Sequence, residues 1–165
     1  MKLKIDFWNH LRMLKDLIFM SLVYFFTIFL FFNSVEEQLK IYLFIPYFLL
    51  LFFPVIILHV NYLKENRGVV VEITENILLL KKGNFIKEYH VNQINEIVVY
   101  TGGTRNTVSP GLAHSNYYYV KIKLQDGLFF IITSLYSCKI DKILQVNFKN
   151  VKITTEKVFY PIIKK

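Results

Sequence analysis

The sequence predicts an α+β membrane protein: a two-helix transmembrane hairpin, then a small antiparallel β sandwich or barrel capped by one C-terminal helix. Three observations predict it. Two long apolar runs flank the eight-residue, mostly polar stretch from Asn33 to Lys40. After residue 68, short apolar runs alternate with turn residues, the rhythm of consecutive strands. Near the end the apolar period lengthens to that of a helix.

The hairpin comes first. Leu17 to Phe32 holds no charge, Gly or Pro. These 16 residues rise about 24 Å as a helix. Asn33 to Val35 extend the run toward the ~30 Å hydrocarbon core. Ile41 to Val60 is uncharged over 20 residues and long enough alone. Neither run has the polar stripe a soluble helix needs. The residues NSVEEQ after the first run offer no signal-peptide cleavage site. Neither run carries Asp, Glu, Lys or Arg, which argues against an ion or proton path. Pro46 and Pro54 predict bends in the second helix. The spans are therefore expected at about 17–35 and 41–60.

Charge then sets the orientation. Lys2, Lys4, Arg12 and Lys15 precede the first run, and Lys64 and Arg67 follow the second. The connector has one Lys against two Glu. The positive-inside rule puts both termini in the cytoplasm. Residues 1–16 place Leu3, Phe7, Leu11 and Leu14 on one helical face with Trp8 beside them. They read as an interfacial segment, or as early turns of a longer first helix. Trp8, Lys15 and Lys64 are the expected interface anchors.

Residues 61–68 read as a polar linker, and 69–165 as the β domain. Strands are expected at Val69–Ile73, Ile77–Lys81, Phe85–Val91, Ile94–Thr101, Asn116–Gln125 and Leu128–Thr133, with a short last one at Val151–Thr154. In NYYYVKIKLQ, Tyr118, Val120, Ile122 and Leu124 face one way and Tyr119, Lys121 and Lys123 the other. Asp126-Gly127 marks a hairpin turn. Ile140, Ile143, Leu144 and Phe148 fall on a helical stripe, with Ser134 or Ser137 as its cap.

This arrangement resembles the bacterial pleckstrin-homology-like (PH-like) domain fused to two membrane spans. The double apolar run followed by ITENILLLKKGN carries the resemblance. So do the spacing Val91-x-x-Ile94-x-x-Ile97 and YYYVKIKLQDGLFFIITSL before the helix. It covers about residues 8–148. It implies a membrane-tethered binding or scaffolding module of the bacterial inner membrane, and it implies no catalytic residues.

The residues themselves point to little chemistry. His10, His59, His90 and His114 have no metal-ligand spacing, and the single Cys138 cannot form an internal disulfide. No catalytic, cofactor-binding or metal-ligating set is predicted. Of 20 Lys and Arg, 15 follow residue 63, yet no nucleic-acid motif accompanies them. The expected partners are the lipid bilayer, anionic lipids within it, and a protein partner or second copy. The loop from Gly102 to Ser115 is the longest connection in the domain. Its start, Gly102, Gly103, Thr104, Arg105 and Asn106, offers backbone amides and one guanidinium to an anionic headgroup. Two alternatives stand beside this reading. One is an accessory subunit assembled through its spans. The other is a membrane enzyme using Arg105, Ser109 and His114.

Overall fold

The computed structural model describes residues 1–31, 40–102 and 113–164. Strands β2 (Val69–Thr74), β3 (Ile77–Lys82) and β4 (Phe85–His90) form an antiparallel meander, in register from Val69 opposite Lys82 and from Ile77 opposite His90. The first turn needs a left-handed residue, and Asn76 supplies it at φ 66°. Strands β5 (Ile94–Gly102), β6 (Tyr118–Leu124) and β7 (Phe129–Thr133) form a second meander. The Asp126-Gly127 turn joins its last two strands. There Gly127 takes φ 83°, and the Asp126 carboxylate accepts the Leu128 N–H at 2.9 Å.

The structure adds two strand features. The first is β1 (Lys2–Leu3), which pairs antiparallel with β2 and extends the first sheet to the order β1-β2-β3-β4. The expected interfacial segment 1–16 is thus divided. Lys2-Leu3-Lys4 alternates as a strand does, and Leu3 is buried in the sandwich core. The second is β8 (Lys152–Val158), which is longer than expected and lies parallel to β5. An all-antiparallel sandwich is corrected accordingly. Helix α3 (Ile140–Asn147) carries the chain back after β7, so β8 runs in the same direction as β7 and β5. The second sheet has the order β7-β6-β5-β8.

Between the sheets lies one apolar core. Val71, Ile73 and Leu78 meet Ile97, Val99, Val120, Ile122 and Ile132 there, and α3 adds Ile140, Leu144 and Phe148. The expected stripe of α3 is therefore its buried face, with Ile143 only partly covered. Neither serine caps it through its own side chain at the cap position, which Lys139 occupies. The Ser137 hydroxyl accepts the Lys139 N–H at 3.2 Å, while the Ser134 hydroxyl accepts the Tyr118 N–H at 3.2 Å.

Two long helices stand on this sandwich, inserted between the neighbouring strands β1 and β2. Helix α1 (Phe7–Phe31) begins with Asp6 accepting the Asn9 N–H at 2.8 Å, an N-terminal cap. Helix α2 (Ile41–Asn66) starts with a 3-10 turn and contains a π-helical stretch at Tyr47–Phe52. Pro46 and Pro54 bracket that stretch. Pro54 has no N–H to bond the carbonyl one turn back, and the widened turn absorbs the mismatch. The Ser21 hydroxyl meets the Tyr47 hydroxyl at 2.9 Å, and the Tyr24 hydroxyl donates to the Leu43 carbonyl, tying α1 to α2.

Phe148 is fully buried where α3 closes the core. Phe148→Ala is expected to lower unfolding stability by about 3–5 kcal/mol. Thermal or denaturant unfolding of the full chain in detergent checks it, and a loss under about 1 kcal/mol would contradict the packing described.

Candidate functional site at the base of the helices

The lower turns of both helices do not float free of the domain. Met13 and Leu17 of α1 and Val55, Leu58 and Tyr62 of α2 pack with Tyr117, Tyr119, Ile131, Leu135 and Ile163 in a second core. This core covers the upper part of the outer face of β6 and β7, whose inner face already packs in the sandwich. The central sheet is buried on both sides there, which explains why Tyr118, Tyr119 and Val120 are all buried in succession.

Polar residues lock the contact. Asn66, at the end of α2, donates to the Ile131 carbonyl at 2.8 Å and accepts the Thr133 N–H at 2.9 Å. Asn61 brackets Ile163 in the same way, accepting its N–H at 2.9 Å and donating to its carbonyl at 3.2 Å. The Tyr62 hydroxyl donates to the Pro161 carbonyl at 2.8 Å. Asn116 pairs with the Asp16 carboxylate on α1. The linker expected at 61–68 is therefore helical through Asn66 and docked, because its polar side chains find backbone partners on the sandwich.

A chain of rings crosses the same junction. His10 Nδ1 lies 2.8 Å from His59 Nε2, and His59 Nδ1 lies 2.9 Å from the Tyr117 hydroxyl. Burial pushes the Tyr117 phenol well above its ordinary range. Tyr119 is pushed up to about 12 by burial, with Tyr100 and Glu156 adding to it. Such phenols stay neutral and serve as hydrogen-bonding groups rather than as bases. Sequence spacing did not bring His10, His59 and Tyr117 together, since 49 and 58 residues separate the paired groups.

The predicted anion loop begins and ends at this junction. Gly102 is buried at the end of β5, paired with Val158. Gly103, Thr104, Arg105 and Asn106 lie outside the described residues, as does Ser109. At the far end Ala113, His114 and Ser115 are buried. The His114 ring lies 4.8 Å from the Tyr160 ring, and its Nδ1 is buried with no hydrogen-bond partner among the described residues. Burial lowers the His114 pKa. Of the expected anchors, Trp8 is exposed at the start of α1 beside Phe7, and Lys15 and Lys64 are exposed on the helix bases. Cys138 is exposed just before α3.

Comparison with known proteins shows the family. A family model described as PH domain matches residues 2–146. The chain belongs to this PH-domain family. The match starts at β1 and runs through both helices, as expected if the hairpin is an insertion within the domain rather than a leader before it. No curated protein matches the chain. Among solved structures, one titled "Structure of the Spt16D Pob3N heterodimer" is similar at 13% identity with a TM-score of 0.36, over 59% of this chain and 51% of that chain. The chain thus spans about half of the length of that structure's chain. A PH domain is a binding module, and this one carries its helices as a built-in part.

Two predictions follow from the junction. Asn66→Ala leaves a buried carbonyl and a buried N–H unpaired, at about 1–3 kcal/mol each. The melting temperature should fall, and protease should cut near residues 66–69 faster than in the parent. The second concerns pH. A buried His held neutral loses stability as pH falls through its unfolded pKa of about 6.5, because the unfolded chain takes up the proton first. Melting temperature should therefore drop between pH 7.5 and pH 5.5, less steeply in His114→Phe. Equal slopes would show that His114 takes no part.

Proposed function

We propose that this protein is a non-enzymatic integral membrane protein of the bacterial inner membrane that presents its PH-like domain, on the cytoplasmic side, to a protein partner or the anionic leaflet. One observation carries the reading. The two helices are long and apolar enough to span a bilayer, yet in the most apolar 18-residue stretch only 6% of α1 and 22% of α2 is buried. A core helix of a soluble protein hides its apolar face, whereas these expose Phe19, Leu22, Phe26, Phe29, Leu49 and Leu50 among others. Water around such a surface is costly, and lipid is not.

The domain's attachment supports a fixed rather than roaming presentation. With the bases of α1 and α2 built into the second core, the domain keeps one orientation to the helices. The stretch from Gly102 to Asn106 remains our candidate for headgroup contact. In its favour, β5 ends at Gly102 on the side where Ala113 and Tyr117 pack under the helices, which is the bilayer side on this reading. Arg105 is the guanidinium of that stretch.

The single Cys138 makes the topology testable without engineering, since it is exposed on the domain. The protein should stay in the membrane pellet after alkaline carbonate washing. A membrane-impermeant maleimide should label Cys138 in lysed but not in intact spheroplasts. Release by carbonate would end the membrane reading, and labelling of intact spheroplasts would end the cytoplasmic one.

A further inference from the structure

We propose that the outer face of α2 holds one phospholipid, with an acyl chain in an apolar furrow and the phosphate at two lysines beside the C-terminal tail. The inference rests on the membrane reading above and deepens it. Ile41, Ile45, Leu49, Phe53 and Ile57 recur every four residues, and the wider π-helical turns at Tyr47–Phe52 offset the drift of that spacing, so they lie along one side of α2. A furrow of about 460 Å³ runs along the upper part of this face, between Ile41 and Phe53. A second of about 210 Å³ continues from Leu49 and Phe53 past Pro54 and Ile57 to Tyr160 and Ile162. Leu49 and Phe53 wall both, so the two adjoin.

The chemistry changes at the foot. The next member of the four-residue series is Asn61, whose side chain holds the tail through both backbone groups of Ile163. Exposed Lys164 follows Ile163 directly, and exposed Lys64 lies three residues after Asn61, on the same side of the helix. His114, against the Tyr160 ring that lines the foot, has a buried Nδ1 without a partner among the described residues. An apolar furrow ending in two cations matches an amphiphile with a long chain and an anionic head. A partner's transmembrane helix would fill the furrow but leave the cationic foot unmatched.

The lower furrow suits one leaflet. Half of the ~30 Å core is about ten residues of helical rise, which from Ile57 reaches Phe48, so one acyl chain takes the lower furrow and the foot of the upper one. The volumes fall within the range of small-molecule sites, roughly 300–1,000 Å³ when taken together.

The test uses the full chain purified in mild detergent, incubated with palmitoyl-oleoyl phosphatidylglycerol and examined by native mass spectrometry. One bound lipid should survive in the parent. Leu49→Trp, which fills the furrow, and the double change Lys64→Glu with Lys164→Glu should each reduce retention by about tenfold or more. Phe26→Trp on the exposed face of α1 should leave it unchanged. Unaltered melting temperatures would show that the variants are folded. Equal retention in Leu49→Trp, no retained lipid in the parent, or a protein subunit held in the lipid's place would overturn the proposal. A chain that resists carbonate yet retains no lipid would overturn this inference alone, and a chain released by carbonate would overturn the membrane reading with it.

Discussion

A buried amide at the end of α2 holds the two halves of the molecule together. Asn66 offers one donor and one acceptor, and β7 takes both through the Ile131 carbonyl and the Thr133 N–H. The pairing imitates a strand neighbour at the edge of the second sheet, where β7 would otherwise leave backbone groups open. It also fixes where the helix stops, because Gly68 at φ 74° must then turn the chain into β2 within two residues. With that end set, Tyr62, Leu58 and Val55 fall on the same side of α2 and reach the sandwich in turn. The tail finds its place only because Asn61 and Tyr62 are already there.

The other end of the insertion is held by a different device. Lys2 and Leu3 pair with Glu72 and Val71, and Lys2 and Lys81 both reach the Glu72 carboxylate, at 3.7 and 2.8 Å. The Lys81 hydrogen bond, with the two lysine charges, holds Glu72 below the usual carboxylate range. So α1 and α2 leave from adjacent strands of one sheet, and the hairpin is framed by β-structure on both sides. A movement of either helix along its axis would have to break strand pairing or the second core. Such cores are close-packed and resist gradual deformation.

Much of this was legible in the residues, for physical reasons. NYYYVKIKLQ alternates cleanly because one face of β6 packs in the sandwich and the other passes from the second core to the Glu96–Lys123 ion pair. The long apolar runs are legible because α1 and α2 carry apolar side chains that the domain leaves largely uncovered. What escaped has causes as definite. Strand β1 is two residues long, below any periodicity. The direction of β8 depends on the path of α3, not on its own sequence. NYLKENRG read as a linker because its polar residues suggest solvent, yet Asn61 and Asn66 spend their amides on backbone far away in the chain. A signal was present: Val55, Leu58, Tyr62 and Asn66 continue a helical stripe past the end of the apolar run. The imidazole pair of His10 and His59 leaves no such trace, since pairing across two helices follows from their docking.

A fixed domain uses membrane proximity differently from a tethered one. A flexible linker raises the concentration of every surface of a domain near the bilayer, and any of them can bind. Here the sandwich keeps one end toward the helices. On the proposed topology that end carries the end of β5, the tail and Lys64, so basic attraction to an anionic leaflet acts on a preset face and loses little orientational freedom. The opposite end carries the Asp126-Gly127 turn and a polar cleft of about 320 Å³ between the Asn76 turn and the end of α3 with Lys149 and Asn150 beyond it. It faces away from the bilayer on the same reading and stays open to the cytoplasm. On the proposed topology one end of the sandwich faces lipid and the other the cytoplasm, and the junction at Asn66 fixes which end is which.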